Sequence, residues 1–482
     1  MTIVEKIQAL KALSLPDTVI TAIDYENKGQ FVRWDGHVFE DMPPFVRVQL
    51  TATPAPTSHI EMEVWLPENW NGRFVGLGNG GLGDVIPYED LVGRTRGGYA
   101  VAQTNLGTAD GWRRGVNNPE VWKDFGWRAT YLMTAVGKQL AAAFYDTTEF
   151  RSYFQGGSTG GQQAFAMLQR FPTEYDGIIA GVPANNRTNL HTYFLWNHVH
   201  LRTRDGRRLF TPEQSKIVTD AAVVFYQRRG DGQPGDPYIT KPHSTPDVIE
   251  EFLAFLSSEY GGYTDEQIDA LRAIYNGPHD PVTGERIYNG MPMGSEVYGG
   301  GIQTHQQDHV GTLYPFVWVF GEDYDMYDFD FHDDLEKLNA LLAPEVNANS
   351  VDLDAFFAHG GKFLFYSGNA DPCVPFPDAV RYWQRLAERY EDLEQHCRYF
   401  VVPGQDHGAS IHRHGPTTMN GHFVFTDILA VMQRWCEEGE APDYFDYLPL
   451  PGSTVPRPMH PTTAEPYAAL DCPACADRYL EQ

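Results

Sequence analysis

The segment Tyr153-Phe-Gln-Gly156-Gly157-Ser158-Thr159-Gly160-Gly161 constrains this chain more than any other. Its G-x-S-x-G pattern follows a short apolar run, 151–155. It precedes residues 159–171, where Ala164, Met167, Leu168 and Phe171 recur at helical spacing. A serine in a tight strand-to-helix turn is lifted above the end of a sheet, and small neighbours avoid a clash between strand and helix. The Thr159 amide then stands at a helix N-terminus, aimed at the place where an oxyanion would form. A pattern this short also arises as a plain Gly-rich turn. The strand before it and the helix after it favour the chemical reading.

The rhythm around this segment supports a mostly parallel sheet. Residues 74–77, 99–103 and 177–182 read as buried strands, and 124–145 as a helix. The C-terminal third repeats the alternation, with strands at 362–367 and 398–402 and helices at 377–390 and 421–438. Strands alternating with helices predict a mostly parallel sheet with helices covering both faces; together with the G-x-S-x-G turn this reads as an α/β-hydrolase core. Residues 187–328 break the rhythm. They are rich in His, Tyr, Trp, Gly and Pro, with long loops at 230–237 and 276–301 and a capping box, Thr264-Asp-Glu-Gln267, opening a helix over 267–275. We read them as an inserted lid domain between core parts 1–186 and 329–482.

A serine nucleophile needs a base, and the base needs an orienting carboxylate. In this fold class the chain order is nucleophile, acid, histidine, with the last two placed after later strands. Asp371 follows the strand 362–367, and His407 follows the strand 398–402. Asp378 and Asp406 are rival acids; His412 and His414 are rival bases. A second oxyanion amide is expected from Gly78-Asn79-Gly80-Gly81 after the strand 74–77, supplied by Gly80 or Gly81.

Composition excludes several partner classes. Lys and Arg number 36 against 64 Asp and Glu, a net charge of −28 that repels nucleic acid and anionic membranes. No window approaches the roughly 18 uninterrupted apolar residues of a membrane span. The opening Met1-Thr-Ile-Val-Glu-Lys lacks a basic region followed by an apolar stretch, so no signal peptide is expected. Five cysteines, Cys373, Cys397, Cys436, Cys472 and Cys475, make no disulfide framework in so long a chain. Cys472-Pro-Ala-Cys475 has no second pair with which to build a zinc site.

Several segments together resemble the tannase and feruloyl esterase family of lidded α/β-hydrolases. They are Leu13-Ser-Leu-Pro-Asp-Thr-Val-Ile20, Gly156 to Gln163, and Phe171-Pro-Thr-Glu-Tyr-Asp-Gly-Ile-Ile-Ala-Gly-Val-Pro-Ala184. Ala270-Leu-Arg-Ala-Ile-Tyr-Asn-Gly-Pro278, Thr283-Gly-Glu-Arg286, Gly360-Gly-Lys-Phe-Leu364 and Arg457-Pro-Met-His-Pro461 complete the set. The resemblance implies a cysteine just before the nucleophile and another just after the histidine, joined by a disulfide. Here those positions are Gly157 and Gly408, and His460 stands where the family commonly has another cysteine. A thiol-independent, cytoplasmic protein is therefore expected. The resemblance also implies calcium in an Asp-rich lid loop. The matching stretch keeps only Asp231 and Asp236 beside two arginines, fewer carboxylates than calcium wants, so no metal or other cofactor is expected. An arginine in the cation's place is the corresponding hypothesis.

The function expected is hydrolysis of a small-molecule carboxylic ester by Ser158, His407 and Asp371, with oxyanion amides from Thr159 and Gly80 or Gly81. The resemblance implies an aromatic or phenolic acid ester. Aromatic residues in the lid, Tyr193, Trp196 and Trp318, are expected to wall the substrate, with the packing of the lid's own core as the competing role. An acyltransferase or lactone-opening enzyme would use the same triad. A binding protein that kept the fold is the third reading, and the intact triad residues argue against it.

Overall fold

The computed structural model describes residues 1–407, apart from 233, 243 and 308–311, and beyond them 422–423, 427–448, 457–462 and 478. After a first helix, Ile3–Lys11, the chain lays down β1 (Thr18–Glu26), a hairpin of β2 (Gln30–Val32) and β3 (Val38–Glu40), then β4 (Phe45–Ala52) and β5 (Ile60–Pro67). Next come β6 (Arg73–Leu77), β7 (Ala100–Thr104), β8 (Arg151–Gly157), β9 (Gly177–Gly181), β10 (Lys362–Gly368) and β11 (Cys397–Val402). Nine of these strands form one sheet in the order β1-β4-β5-β7-β6-β8-β9-β10-β11. The pairs β1·β4, β4·β5 and β5·β7 are antiparallel; every neighbour pair from β7 to β11 is parallel.

Side-chain alternation along the parallel strands explains their continuous burial. Phe74, Phe154, Ile178, Phe363, Phe365 and Tyr399 enter one core with Met133, Phe165 and Trp383. Val75, Tyr153, Ile179, Leu364 and Phe400 enter the other with Leu91, Leu429 and Met432. Both faces are covered by helices, so apolar residues suit every position. This is the α/β-hydrolase architecture.

Three differences from the sequence expectations have physical causes. No strand was expected before residue 74, yet β1, β4 and β5 extend the sheet there. β4 alternates buried Val46, Val48 and Leu50 with half-buried Arg47, Gln49 and Thr51, a two-residue period that marks an antiparallel margin rather than a buried parallel strand. The helix expected over 124–145 is three pieces: Pro119–Lys123, a widened π turn over Asp124–Arg128, and Ala129–Tyr145. In that turn a Cβ on Gly126 would lie 1.9 Å from the Glu345 carbonyl oxygen, so only glycine admits the passing backbone. The helix expected from 421 begins at Ile428, because the Asp427 side chain accepts the Leu429 amide and caps it. A small sheet of β12 (His422–Phe423), β13 (Phe445–Leu448) and β14 (Arg457–Met459) involves the residues just before that cap.

Between β9 and β10 the chain is helical, with the helices Arg187–Leu201, Pro212–Arg229, Pro246–Glu259 and Asp265–Asn276 the longest before residue 328. Among the described residues of 187–328 there is no strand beyond isolated bridges. Capping boxes at Thr211 and Thr264 start two of the helices. Among the described residues no helix is long and apolar enough to cross a membrane.

Candidate active site

Ser158 sits between β8 and the helix Thr159–Arg170 with φ 59° and ψ −116°, a left-handed conformation that costs a non-glycine residue about 1–3 kcal/mol. The surroundings impose it. The Ser158 amide donates to the Gly181 carbonyl at 2.9 Å, and its carbonyl accepts the amides of Gln162 and Ala184, both at 3.1 Å. Glycines make the turn sterically feasible. A Cβ on Gly156 would stand 2.5 Å from the Gly160 carbonyl oxygen, and one on Gly161 would stand 2.6 Å from Pro183 Cα.

The ends of β10 and β11 supply the other two groups. His407 Nε2 lies 3.0 Å from Ser158 Oγ, and His407 Nδ1 lies 2.8 Å from Asp371 Oδ2. Asp371 is fully buried, and its other oxygen accepts the amides of Cys373 at 2.8 Å and Val374 at 3.0 Å. Burial works against protonation of His407, but the charge of Asp371, the Cys373 thiol and the hydrogen bond to Asp371 outweigh it and hold the imidazole well above the usual histidine range. The Nδ1–H therefore points at Asp371, and Nε2 faces the serine.

The rival acid Asp378 stands elsewhere. It lies in the helix Pro377–Arg389, accepts from Asn186 Nδ2 at 3.2 Å, and burial pushes its pKa up to about 6. Asp406 is buried next to His407 in sequence, but it is Asp371 that meets the imidazole. His412, His414 and Gly408 lie outside the described residues, as do Cys472 and Cys475. Cys373, Cys397 and Cys436 are free thiols.

The oxyanion side is built from two backbone segments locked together. Gly160 N donates to the Asn79 carbonyl at 2.7 Å, and Asn79 N donates to Gln163 Oε1 at 2.7 Å. Thr159 Oγ1 donates to the Gly81 carbonyl at 2.5 Å. Gly78 N is bound to the Gln155 carbonyl at 2.9 Å. With the amides of Gly78 and Asn79 engaged, those of Gly80 and Gly81 remain as the candidates from this loop. Both are open at the α-carbon, where an added Cβ would meet nothing within 4 Å.

The three lid aromatics have distinct surroundings. Tyr193 is buried, and its hydroxyl donates to the carbonyl of Pro372, the residue after Asp371, at 2.7 Å. Trp196 Nε1 donates to the Ala273 carbonyl at 2.9 Å, and its ring lies against His200 and Phe331. Trp318 is fully buried, donates to the Trp112 carbonyl at 2.6 Å and packs edge-on to Phe125. Both indole N–H groups are thus engaged by backbone carbonyls. The packing role explains both. In the lid loop, Asp231 faces Arg229 Nε at 3.5 Å, and Asp236 is buried.

Sequence reasoning missed Arg187. It follows β9 closely and is 4% exposed, with Nε donating to Gln162 Oε1 at 2.7 Å and NH2 donating to Thr159 Oγ1 at 3.0 Å. The signal was an arginine in Val182-Pro-Ala-Asn-Asn-Arg187, directly after a core strand. Also missed was the approach of Gly300 to the site. A Cβ there would stand 2.6 Å from Cys373 Cβ, two residues from Asp371.

The family model described as tannase and feruloyl esterase matches residues 46–448. A probable feruloyl esterase B-1 of Aspergillus oryzae is 30% identical over 432 residues, spanning 85% of this chain and 78% of its own. Feruloyl esterase B of Aspergillus niger is 30% identical over 434 residues, spanning 85% and 79%. Among solved structures, feruloyl esterase B from Aspergillus oryzae has a TM-score of 0.80 at 26% identity over 95% of both chains. Tannin acyl hydrolase from Aspergillus niger has a TM-score of 0.71 at 20% identity, over 95% of this chain and 91% of that one, a likeness of fold alone.

Proposed function

Because this chain belongs to the tannase and feruloyl esterase family and is a carboxylic ester hydrolase, we propose that it cleaves esters of aromatic, phenolic acids with Ser158 as nucleophile. The observation that carries the assignment of residues is the continuous relay from Ser158 Oγ to His407 Nε2 at 3.0 Å and from His407 Nδ1 to Asp371 at 2.8 Å.

The chemistry follows from that geometry. Ser158 Oγ attacks the ester carbonyl while its proton passes to His407 Nε2. Asp371 holds the imidazole in the required tautomer and stabilises the imidazolium. The negative charge on the carbonyl oxygen is met by the Thr159 amide and an amide of Gly80 or Gly81. Collapse breaks the C–O bond, His407 returns the proton to the departing alcohol, and an acyl-serine remains. Water, activated by His407, adds to it and releases the acid. The step needs no metal or redox partner.

The helical block 187–328 acts as the lid. Three of its contacts support this: Arg187 on Thr159, Tyr193 on Pro372 and Gly300 against Cys373. The aromatic acyl preference is supported by the two Aspergillus relatives described as feruloyl esterases. It is tested with a panel of aryl-acid and short alkyl-acid esters read by product chromatography, with and without an added alcohol acceptor. Higher kcat/KM on aryl-acid esters, with free acid as product, is the expected result. Equal kcat/KM across the panel would remove the aromatic assignment, and acyl transfer to the alcohol in preference to water would make the protein an acyltransferase.

A further inference from the structure

A buried cation stands beside the oxyanion amides with no anion of its own. Arg187 is 4% exposed, and its side-chain partners are all neutral: Gln162 Oε1 at 2.7 Å, Thr159 Oγ1 at 3.0 Å, His191 Nε2 at 3.5 Å and the Tyr314 hydroxyl. His191 Nδ1 is turned to the Thr312 carbonyl at 2.5 Å, which leaves Nε2 as an acceptor. The guanidinium lies over the Phe125 ring, 5.4 Å from its centroid. Among the described residues no carboxylate pairs with it. An uncompensated buried charge is expensive, so a chain that keeps one has an anion to meet it at some stage.

The hydrogen-bond directions around Thr159 are forced. A guanidinium only donates, so Thr159 Oγ1 accepts from Arg187 and must send its own proton elsewhere. That proton goes to the Gly81 carbonyl at 2.5 Å. The hydroxyl thereby ties the nucleophile's neighbour to the opposing loop, between the two backbone segments whose amides meet the oxyanion.

We propose that Arg187 is a positioning residue for the oxyanion hole: it orients the Thr159 hydroxyl onto Gly81, and its unpaired charge favours the anion that exists only in the transition state. The inference rests on the serine-ester mechanism above. Burial lowers the guanidinium's pKa, yet arginine stays protonated in proteins, so the field is present before the substrate arrives. A preorganised charge that meets no anion in the ground state and one in the transition state raises kcat rather than tightening substrate binding.

The test uses the full chain and four variants: Arg187→Met, Thr159→Val, the double variant and Thr159→Ser. Active sites are first counted by fluorophosphonate labelling, and kcat and KM are then measured on an aryl-acid ester. Affinity for an aryl trifluoromethyl ketone, which forms a tetrahedral oxyanion on serine, is measured beside affinity for the product acid. Arg187→Met is expected to lower kcat per labelled site by about 10- to 100-fold, to change KM by less than about threefold, and to weaken the ketone far more than the acid. Thr159→Val should lose a similar factor, and the double variant little more than the worse single one, because both break one tie. Thr159→Ser should recover most of what valine loses.

Exchanging a buried charge for an apolar side chain of similar volume is often neutral or stabilising. A lower kcat at unchanged or raised melting temperature would thus separate positioning from mere structure. If Arg187→Met does not fold, the valine–serine contrast at position 159 decides. Unchanged kcat in labelled variants, additive losses, or a rise in KM alone would overturn the proposal. A wild-type chain that does not label would instead sink the serine mechanism on which it rests.

Discussion

Asp371 meets His407 Nδ1 at 2.8 Å while its second oxygen is occupied by the amides of Cys373 and Val374. Two backbone donors fix the carboxylate, so the carboxylate fixes the ring. This pair raises the His407 pKa above the ordinary value near 6.5. The base must be neutral to accept the serine proton, so kcat/KM should climb with pH along an acid limb whose midpoint lies above about 6.5. Asp371→Asn should move that limb down and lower kcat by about 10⁴-fold. Stability runs the other way: the contribution of a raised-pKa histidine is full below its unfolded value and is lost as pH rises through the folded one. Activity should therefore grow through the window in which this part of the stability fades. An acid limb that Asp371→Asn leaves in place would disprove the pairing as its cause.

Tyr193 holds the Asp371 loop through Pro372. Tyr193→Phe leaves that carbonyl without its partner and should cost about 1–3 kcal/mol, seen in denaturant melts. kcat should fall along with it, since the loop carries Asp371. Unchanged melts together with unchanged kcat would remove Tyr193 from any supporting role.

Trp318 fills a site walled by Gly115 and Phe125. Trp318→Ala should cost about 3–5 kcal/mol, and the partly exposed Trp196 less. Per active site, activity on an aryl-acid ester and on a small acetate ester should fall in parallel for both variants. A selective loss on the aryl ester would show that one of these rings reads the substrate after all.

The Arg229 guanidinium stands 3.5 Å from Asp231, where the family resemblance places calcium. Thermal melts with and without a chelator should coincide within about 1 °C. So should melts with and without dithiothreitol, given free Cys373, Cys397 and Cys436. A chelator-dependent fall of several degrees would restore the metal; the same fall with reductant would reveal a disulfide.

The sequence revealed the site better than its supports. Ser158, Asp371 and His407 were legible because a parallel sheet places catalytic groups at strand ends in a set chain order, and each followed a recognisable strand. Gly80 and Gly81 were legible as a loop but not as individual donors, since the choice depends on which neighbouring amides find other acceptors. Arg187 on Thr159 and Gly300 on Cys373 were hidden, because they join segments distant in sequence and no local pattern encodes such contacts. Trp196 and Trp318 stayed open between two roles for a related reason: an aromatic-rich lid needs large rings for its own core, and composition does not distinguish a wall from a filler. Of the strands before residue 74, β4 did carry a signal, the alternation of Val46-Arg-Val48-Gln-Leu50, which marks the antiparallel margin.

The most direct measurement is kcat on one aryl-acid ester for Ser158→Ala, His407→Ala and the double variant, with folding checked by circular dichroism. Triad members act as one unit. Each single variant should lose at least about 10⁴-fold in kcat, and the double variant should be no slower than the worse of the two. A Ser158→Ala protein that keeps more than about a hundredth of wild-type turnover, or losses that multiply in the double variant, would contradict the mechanism.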